Sequence, residues 1–232
     1  MLETFINVIS WITVITTPAL SIPQLLKLLK DKKTGEVNFI SFWVTHFGIF
    51  IWLLWGVFST SSSPFIQKNV VIADGIALIL SGITMFLLYF YVPNKNKNHV
   101  IGASLVVLAT FIAAIGLIVY YFVYPSMRIS VQQSLVFGFI APAFTTFAFV
   151  PQLITSIKTK NWKGVSSWLY FLFVVNNIVW ILFWILNLVQ TKGTETHLYA
   201  GLVWQIISLS LFSYQWIATL YYNRKDKLLQ KS

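Results

Sequence analysis

A single carboxylate, that of Asp74, stands inside the long apolar stretches of this sequence, and the other five acidic residues lie in polar segments between or beside them. Placing a carboxylate in a membrane costs about 2.5–3.5 kcal/mol on insertion scales, so it normally has a function or a partner. No lysine or arginine lies deep in an apolar stretch to pair with it. Asp74 is therefore a proton-titrating group, a counter-ion for a cationic solute, or a side chain that only reaches interfacial water.

Two tryptophans, Trp52 and Trp180, lie in two of these stretches, one in each half of the sequence. Indole faces stack on sugar rings and attract cations. Asn176 is one helical turn from Trp180, and its amide favours a hydrated cavity or a hydrogen bond between helices. Packing or an interfacial position is the alternative for the tryptophans, because the chain contains ten. His46 is a candidate proton relay, although a lone histidine in an apolar stretch is more often structural.

Catalytic and metal-binding chemistry finds no support in the residue types. The chain has no cysteine, and its three histidines are scattered, which excludes disulfides and the ligand spacing of a zinc site. No nucleophile–base pair or phosphate-binding loop is recognisable. We therefore predict no enzyme activity, no catalytic residue, no metal site and no cofactor.

The composition is that of a membrane protein. Apolar residues make up 57% of the 232 residues and charged residues 9%, whereas a soluble domain carries about 25% charged residues. A helix needs about 20 apolar residues to cross a bilayer, and turn-rich or basic segments separate seven such stretches. The lipid bilayer is thus a predicted partner, and the predicted spans are Thr4–Leu25, Ile40–Phe58, Val70–Val92, Val100–Tyr124, Val131–Ile157, Val165–Val189 and Leu198–Asn223.

The basic residues divide unequally between the two sides of the predicted membrane. Thirteen of the sixteen, Lys27 and Lys30 among them, fall in predicted loops or the tail on one side, and Lys68, Arg128 and Lys192 lie on the other. The positive-inside rule then places the N-terminus outside and the C-terminus in the cytoplasm, and we expect the plasma membrane. Topology thus explains the net charge of +10, with a minor part for anionic lipids, and no nucleic-acid partner is predicted.

The sequence repeats itself at a constant separation. Its two Pro-Gln dipeptides, Pro23-Gln24 and Pro151-Gln152, each precede a basic loop containing glycine and then a span with Trp52 or Trp180. Trp52 and Trp180 are separated by the same number of positions as Pro23 and Pro151, and we call this separation the repeat offset. Such recurrence indicates an internal repeat.

The repeat defines the predicted organisation of the chain. We predict a first three-helix repeat at 1–95, a linker helix at 96–128, a second repeat at 129–223 and a basic tail at 224–232. Because a single span separates the repeats, both have the same orientation in the membrane. The predicted fold class is therefore an all-α membrane protein with seven transmembrane helices in a parallel 3+1+3 arrangement.

The Pro-Gln dipeptides are candidate hinges. A proline inside a transmembrane helix removes one backbone hydrogen bond, and the amide of the neighbouring glutamine can satisfy freed backbone groups. The duplication of Pro23-Gln24 as Pro151-Gln152 favours paired hinges, with a static kink as the alternative. Pro18 and Pro142 distort the same two spans further.

On these features the chain resembles the PQ-loop superfamily, which includes the SWEET sugar transporters and the cystinosin-like amino-acid exporters. Two further motifs carry the resemblance: Trp52-Leu-Leu-Trp55-Gly56 is similar to the family's Trp-x-x-Tyr-Gly, and Asp74-Gly75 stands where SWEETs have Asn-Gly. The resemblance implies a counterpart of Asp74 in the last span, which is Gln205 here in place of asparagine. The chain also differs from SWEETs in lacking prolines in spans two and six.

The resemblance implies a transporter that works by alternating access. We expect its substrate-binding site between the repeats, near Trp52, Asp74, Asn176, Trp180 and Gln205. The expected substrate is a small neutral or cationic solute, a sugar or an amino acid, with proton coupling through Asp74 as a further hypothesis. Two alternatives stay open: a non-transporting receptor or accessory subunit of the same fold, and a facilitator of vitamin precursors similar to PnuC. The sequence does not determine the oligomeric state.

Overall fold

The computed structural model describes residues 1–35, 37–59, 65, 67–93, 96–162, 165–194 and 197–229, and within these ranges the chain forms helices and no strand. Lys95, Lys163, Gly164 and Lys231, which belong to the predicted basic segments, lie outside the described residues. The helices in chain order are α1 (Leu2–Ala19), α2 (Ile22–Asp31), α3 (Phe39–Phe58), α4 (Lys68–Phe90), α5 (Lys97–Val123), α6 (Val131–Phe147), α7 (Val150–Thr159), α8 (Ser167–Gln190) and α9 (His197–Leu229).

These helices correspond to the seven predicted spans, with the first and fifth each broken in two. In the described part of the chain, six units are long and apolar enough to cross a membrane: α1 with α2, α3, α4, α5, α6 with α7, and α8. The 33-residue α9 has sufficient length, but polar side chains such as Gln205 and Gln215 interrupt its apolar residues. Part of the predicted loop assignment was wrong. Lys27 and Lys30 lie in α2 and Lys158 lies in α7, because these helices continue to C-caps at Lys32 and Lys160. Arg224 and Lys225 of the predicted tail lie in α9.

The breaks in the two spans recur with the sequence repeat. α1 ends at Ala19 and α6 at Phe147, two positions related by the repeat offset, and α2 and α7 each begin three residues later. Both short helices end on a lysine in the left-handed region, Lys32 with φ of 48° and Lys160 with φ of 54°. The same path of the chain therefore occurs twice, whereas the division at residues 95 and 129 stays a prediction.

Polar side chains cap α3 and α6 at the positions where their apolar stretches begin. The side chain of Asn38 accepts hydrogen bonds from the backbone N–H groups of Ile40 and Ser41 at the start of α3. Ser130 and Gln133 form a reciprocal capping box at the start of α6. Such caps satisfy N–H groups that have no partner inside a helix, so they help to define where these spans begin.

Two three-helix groups face each other, with α5 attached to the first. In the first group α4 packs against α1 and α3, and in the second α9 packs against α6 and α8. The groups meet where α1 contacts α8 and where α3 contacts α6, and α5 packs on α3 and α4. Gly82 permits the close approach of α4 and α5, because a Cβ atom there would lie 2.5 Å from Cε1 of Phe111.

Apolar clusters fill both ends of the interface between the groups. We call the end at which α3 and α8 begin the Pro-Gln side, and the opposite end the far side. The far-side cluster consists of Trp52, Trp55, Val70, Ala141, Trp180, Phe183, Trp184 and Leu198. On the Pro-Gln side the buried cluster includes Phe42, Phe149, Leu169, Tyr170, Phe173 and Phe212.

Candidate functional site

A cavity lies between the two helix groups, and its walls are formed by α1, α2, α3, α4, α6, α8 and α9. With its opening it holds about 970 Å³ of space. On α3 the lining runs from Phe42 to Trp52, and on α8 from Leu169 to Trp180. The cavity therefore extends from the Pro-Gln side to the tryptophan pair, where the far-side cluster closes it.

The structure places all five predicted substrate-binding residues on the wall of this one cavity: Trp52, Asp74, Asn176, Trp180 and Gln205. They come from α3, α4, α8 and α9, and therefore from both helix groups. Their role in binding remains a prediction, but their convergence makes a joint role physically possible.

The two tryptophans are held by matching hydrogen bonds across the interface. Nε1 of Trp52 donates to Oγ1 of Thr145 at 3.2 Å, and Nε1 of Trp180 donates to Oγ1 of Thr17 at 3.1 Å. Thr17 and Thr145 are themselves related by the repeat offset. Each indole is thus anchored to the opposite group, and the two anchors correspond in the repeat. Sequence reasoning missed both threonines, and the only signal in the sequence is that the same residue type recurs at the repeat offset.

Asn176 joins the same contact on one side only. Its Oδ1 accepts hydrogen bonds from Oγ1 of Thr16 at 2.8 Å and from Oγ1 of Thr17 at 3.2 Å. Its counterpart in the first repeat is Gly48, where a Cβ atom would lie 2.9 Å from Cγ2 of Thr145. The two halves of the site therefore differ. The second repeat has the side-chain amide of Asn176 where the first repeat has Gly48, which has no side chain.

Asp74 faces the cavity and is only 5% exposed. Ser81 and Thr84 line the cavity from the same helix, seven and ten residues further along, so α4 presents one polar face to it. Among the described residues, this carboxylate forms no hydrogen bond and no ion pair with another side chain. Asp74 is therefore available to a solute or a proton inside the cavity.

The amide of Gln205 also has unused hydrogen-bonding capacity. Its Oε1 is buried without a partner among the described residues. Ser208 lines the cavity one turn away on α9, and Asn177 lines it from α8, with its Nδ2 donating to the backbone oxygen of Phe173 at 2.7 Å. These amides and hydroxyls provide donors and acceptors on several walls of the cavity.

The Pro-Gln residues lie at the breaks rather than inside continuous helices. Pro23 and Pro151 occupy the first turn of α2 and α7, where the missing N–H group has no intrahelical partner to lose. Oε1 of Gln152 accepts a hydrogen bond from the backbone N–H of Asn38, the N-cap of α3. This partner does not belong to the break before Pro151. Gln24 is buried at the cavity wall. A hinge role for the four residues stays a prediction.

His46 does not line the cavity but ties three helices together. Its side chain is fully buried, with Nδ1 2.8 Å from Oγ of Ser81 and Nε2 3.0 Å from Oγ1 of Thr110. Thr110 in turn donates to the backbone oxygen of Val107 at 2.7 Å. This network joins α3, α4 and α5, which fits the structural role that the sequence left open. In the described part of the chain no three His, Asp or Glu side chains form a group that could hold a metal ion.

The sequence matches a family model over the second repeat and matches individual proteins over shorter or longer parts of the chain. The family model named PQ loop repeat matches residues 134–191, from α6 to the turn after α8. The sugar transporter SemiSWEET of Escherichia coli is 35% identical over 88 residues, which are 38% of this chain and 89% of that protein. The bidirectional sugar transporter SWEET10 of Arabidopsis thaliana is 22% identical over 168 residues, and this match covers 71% of the chain but only 55% of the plant protein.

A solved structure of a eukaryotic SWEET transporter has the same fold. It superposes with a TM-score of 0.51 at 12% sequence identity, and the match covers 91% of this chain and 98% of that chain. The predicted fold, seven transmembrane helices in a 3+1+3 arrangement, is confirmed by this likeness together with the all-helical structure. The resemblance read from the paired Pro-Gln motifs is confirmed as well: this chain belongs to the PQ-loop family of SWEET-type membrane proteins.

Proposed function

We propose that the protein transports a small sugar across the membrane by alternating access, with the cavity as its binding site. The observation that carries the proposal is the pair of tryptophans at the end of the cavity, each anchored across the interface by a threonine. The similarity to SemiSWEET and SWEET10, both named as sugar transporters, supports a sugar as the solute.

The chemistry of the walls suits a neutral polyhydroxylated solute. Trp52 and Trp180 offer aromatic surface for a sugar ring. Thr45, Ser81 and Asn177 add hydroxyl and amide groups around the same space, and these groups both donate and accept hydrogen bonds. A ring with apolar faces and polar edges therefore finds complementary surfaces on different walls.

Alternating access requires an interface that opens on either side of the site. The far-side cluster joins the two helix groups through ring contacts such as Trp55 with Trp184, whose centroids are 6.3 Å apart. Each helix group has a break in its first span, before Pro23 and before Pro151, and we propose these breaks as the hinges. Motion at these breaks would let one group rock against the other around the cavity.

The two sides also differ in charge, and this supports an orientation. Lys27, Lys30 and Lys158 lie in helices that end on the Pro-Gln side, whereas Lys68 and Lys192 lie on the far side. By the positive-inside rule we propose that the Pro-Gln side and the C-terminus face the cytoplasm and that the protein resides in the plasma membrane. Labelling of single cysteines introduced on each side of intact cells tests this orientation.

Proton coupling through Asp74 is the finer proposal. A carboxylate at the wall of the cavity without a cationic partner can carry a proton in one half of the transport cycle and release it in the other. The same carboxylate would attract the amino group of an amino acid. Asp74 thus supports two extensions of the proposal, a proton-coupled sugar transporter and a transporter of amino acids.

Uptake into liposomes that contain the purified protein tests these proposals. A panel of labelled sugars and amino acids is offered with and without a proton gradient. Accumulation of one sugar above equilibrium, lost when the gradient is removed, is the result expected for coupling. Equilibration without accumulation means a facilitator, and no uptake of any solute contradicts transport and favours the receptor or accessory alternative.

The variant Asp74→Asn separates coupling from transport itself. It should retain equilibration of the sugar but lose its dependence on the proton gradient, because an amide cannot titrate. Asp31→Asn is the matched control, since Asp31 is exposed at the end of α2 and away from the cavity. An unchanged gradient dependence in Asp74→Asn would refute coupling through this residue.

A further inference from the structure

The two glutamines of the Pro-Gln motifs have different surroundings. Gln152 is fastened to the other helix group: its Oε1 accepts from the backbone N–H of Asn38 at 2.7 Å, and its backbone N–H donates to Oγ of Ser41 at 3.1 Å. Its Nε2 also donates to Oγ of Ser156 at 3.4 Å. The bonds with Asn38 and Ser41 connect the start of α7 to the start of α3.

Gln24, its counterpart, makes none of these bonds. The residue is 1% exposed, and both Oε1 and Nε2 are buried without a hydrogen-bond partner among the described residues. It lines the cavity from α2, together with Thr17 and Ser21 of the same span. An unpaired amide is thus placed at the Pro-Gln end of the cavity.

The sequence accounts for two of the three bonds that Gln24 lacks, those made with serine hydroxyl groups. The positions related by the repeat offset to Ser41 and Ser156 are Leu169 and Leu28, both buried leucines. Neither leucine side chain can accept a hydrogen bond. The chain therefore lacks, around Gln24, the serines that hold Gln152.

We propose that Gln24 is a specificity-determining residue whose amide hydrogen-bonds hydroxyl groups of the solute, whereas Gln152 fastens α7 to α3. The inference rests on the proposed transport of a sugar and assigns different functions to the two Pro-Gln motifs. A buried amide without a partner is destabilising, and a hydroxyl group supplies both the donor and the acceptor that the amide needs.

The position of Gln24 defines when this contact forms. The amide is closed off from bulk solvent in this conformation, because Leu20, Phe42 and Leu169 line the same end of the cavity. A solute that leaves toward the Pro-Gln side reaches the amide as that end opens. Gln24 then hydrogen-bonds hydroxyl groups of the solute at the exit of the cavity, at the end opposite the tryptophan pair.

Matched substitutions separate the two functions. Gln24→Met and Gln152→Met remove the amide and keep the length of the side chain. Gln24→Met should preserve or raise the melting temperature, because it deletes an unpaired buried group, whereas Gln152→Met should lower it by leaving the N–H of Asn38 unpaired. In liposomes with labelled D-glucose, Gln24→Met should raise KM by about 2- to 10-fold, the range of one neutral hydrogen bond, with Vmax little changed.

Monodeoxy analogues of D-glucose, used as competitors of uptake, identify the hydroxyl involved. At least one analogue should inhibit the wild type about 2- to 10-fold more weakly than glucose does. That difference should vanish in Gln24→Met and persist in Gln152→Met, as expected for two groups that contact each other. Gln24→Leu provides the same test if Gln24→Met does not fold.

The outcomes distinguish a failure of the proposed function from a failure of this inference. A wild type that takes up no sugar overturns the proposed function, and this inference with it. Glucose uptake by the wild type with an unchanged KM in Gln24→Met overturns the inference alone. So does a deoxy penalty that persists in Gln24→Met, or a loss of Vmax at constant KM, which would indicate only a hinge.

Discussion

Thr17→Val tests whether the cross-interface hydrogen bonds hold the far side closed. The substitution keeps the shape of the side chain but removes the acceptor for Nε1 of Trp180 and one of two donors to Oδ1 of Asn176. Thr16 continues to satisfy the Asn176 oxygen. Two bonds between α1 and α8 are lost, and both should be broken when the far side opens.

The magnitude follows from the number of bonds. Side-chain hydrogen bonds in membrane proteins contribute about 0.6 kcal/mol each, so Thr17→Val should favour the open far side by about 1.2 kcal/mol. Since about 1.4 kcal/mol is a factor of ten, the open population should rise about eightfold. Thr145→Val removes a single bond across the interface, from Trp52, and should raise the open population about threefold.

A single cysteine reports this opening, because the chain contains no other. Leu188→Cys places a partly buried thiol on α8 against the far-side cluster, where a membrane-impermeant maleimide reacts faster when that side opens. The labelling rate should rise in the order wild type, Thr145→Val, Thr17→Val. Thr84→Val is the control, since the Thr84 hydroxyl donates only within its own helix. A rate in Thr17→Val equal to the wild type, or lower than in Thr145→Val, would refute the reasoning.

Two further predictions concern the packing of the linker helix, α5, against α4 and α3. Gly82→Ala should lower stability by about 1–3 kcal/mol through overpacking, since its Cβ would press on Phe111, whereas Gly116→Ala, with no neighbour within 4 Å, should be neutral or stabilising in thermal unfolding. His46→Ala should lower stability by about 1–3 kcal/mol, because it removes the imidazole that bonds the hydroxyl groups of Ser81 and Thr110. If His46 is only structural, the pH profile of uptake should keep its shape in His46→Ala, and a shifted profile would reinstate the proton relay.

Much of the fold could be predicted because it depends on properties that the chain carries locally. Span length, the distribution of lysines and the recurrence of Pro-Gln at the repeat offset each reflect a physical demand of the bilayer or of the repeat. The ends of helices were less predictable: α2 continues past Lys27 and Lys30 to a left-handed cap at Lys32, because its lysines lie on one face of an amphipathic helix whose leucines lie on the other.

The site could be predicted only in part, because long-range contacts decide what each side chain meets. Asp74 and Asn176 could be predicted because they are polar residues inside predicted spans, and the resemblance to a family indicated Gln205. The partners Thr17 and Thr145 look like ordinary apolar-stretch threonines until the indoles are placed beside them. Likewise, identical dipeptides gave no sign that Gln152 is bonded and Gln24 is not, since the deciding residues lie elsewhere in the chain.

The attachment of α5 bears on how the protein assembles. Within the described residues α5 packs on α3 and α4, and the segment before α6 is held to the first group by the bond from the N–H of Ile129 to the backbone oxygen of Phe58. An N-terminal fragment ending after α5 thus includes all of the helices on which the linker packs. Two fragments divided between Tyr124 and Arg128 should therefore associate when they are co-expressed. A continuous polypeptide is then needed to give equal amounts of the two groups and a fixed order of insertion, and less to determine the folded structure.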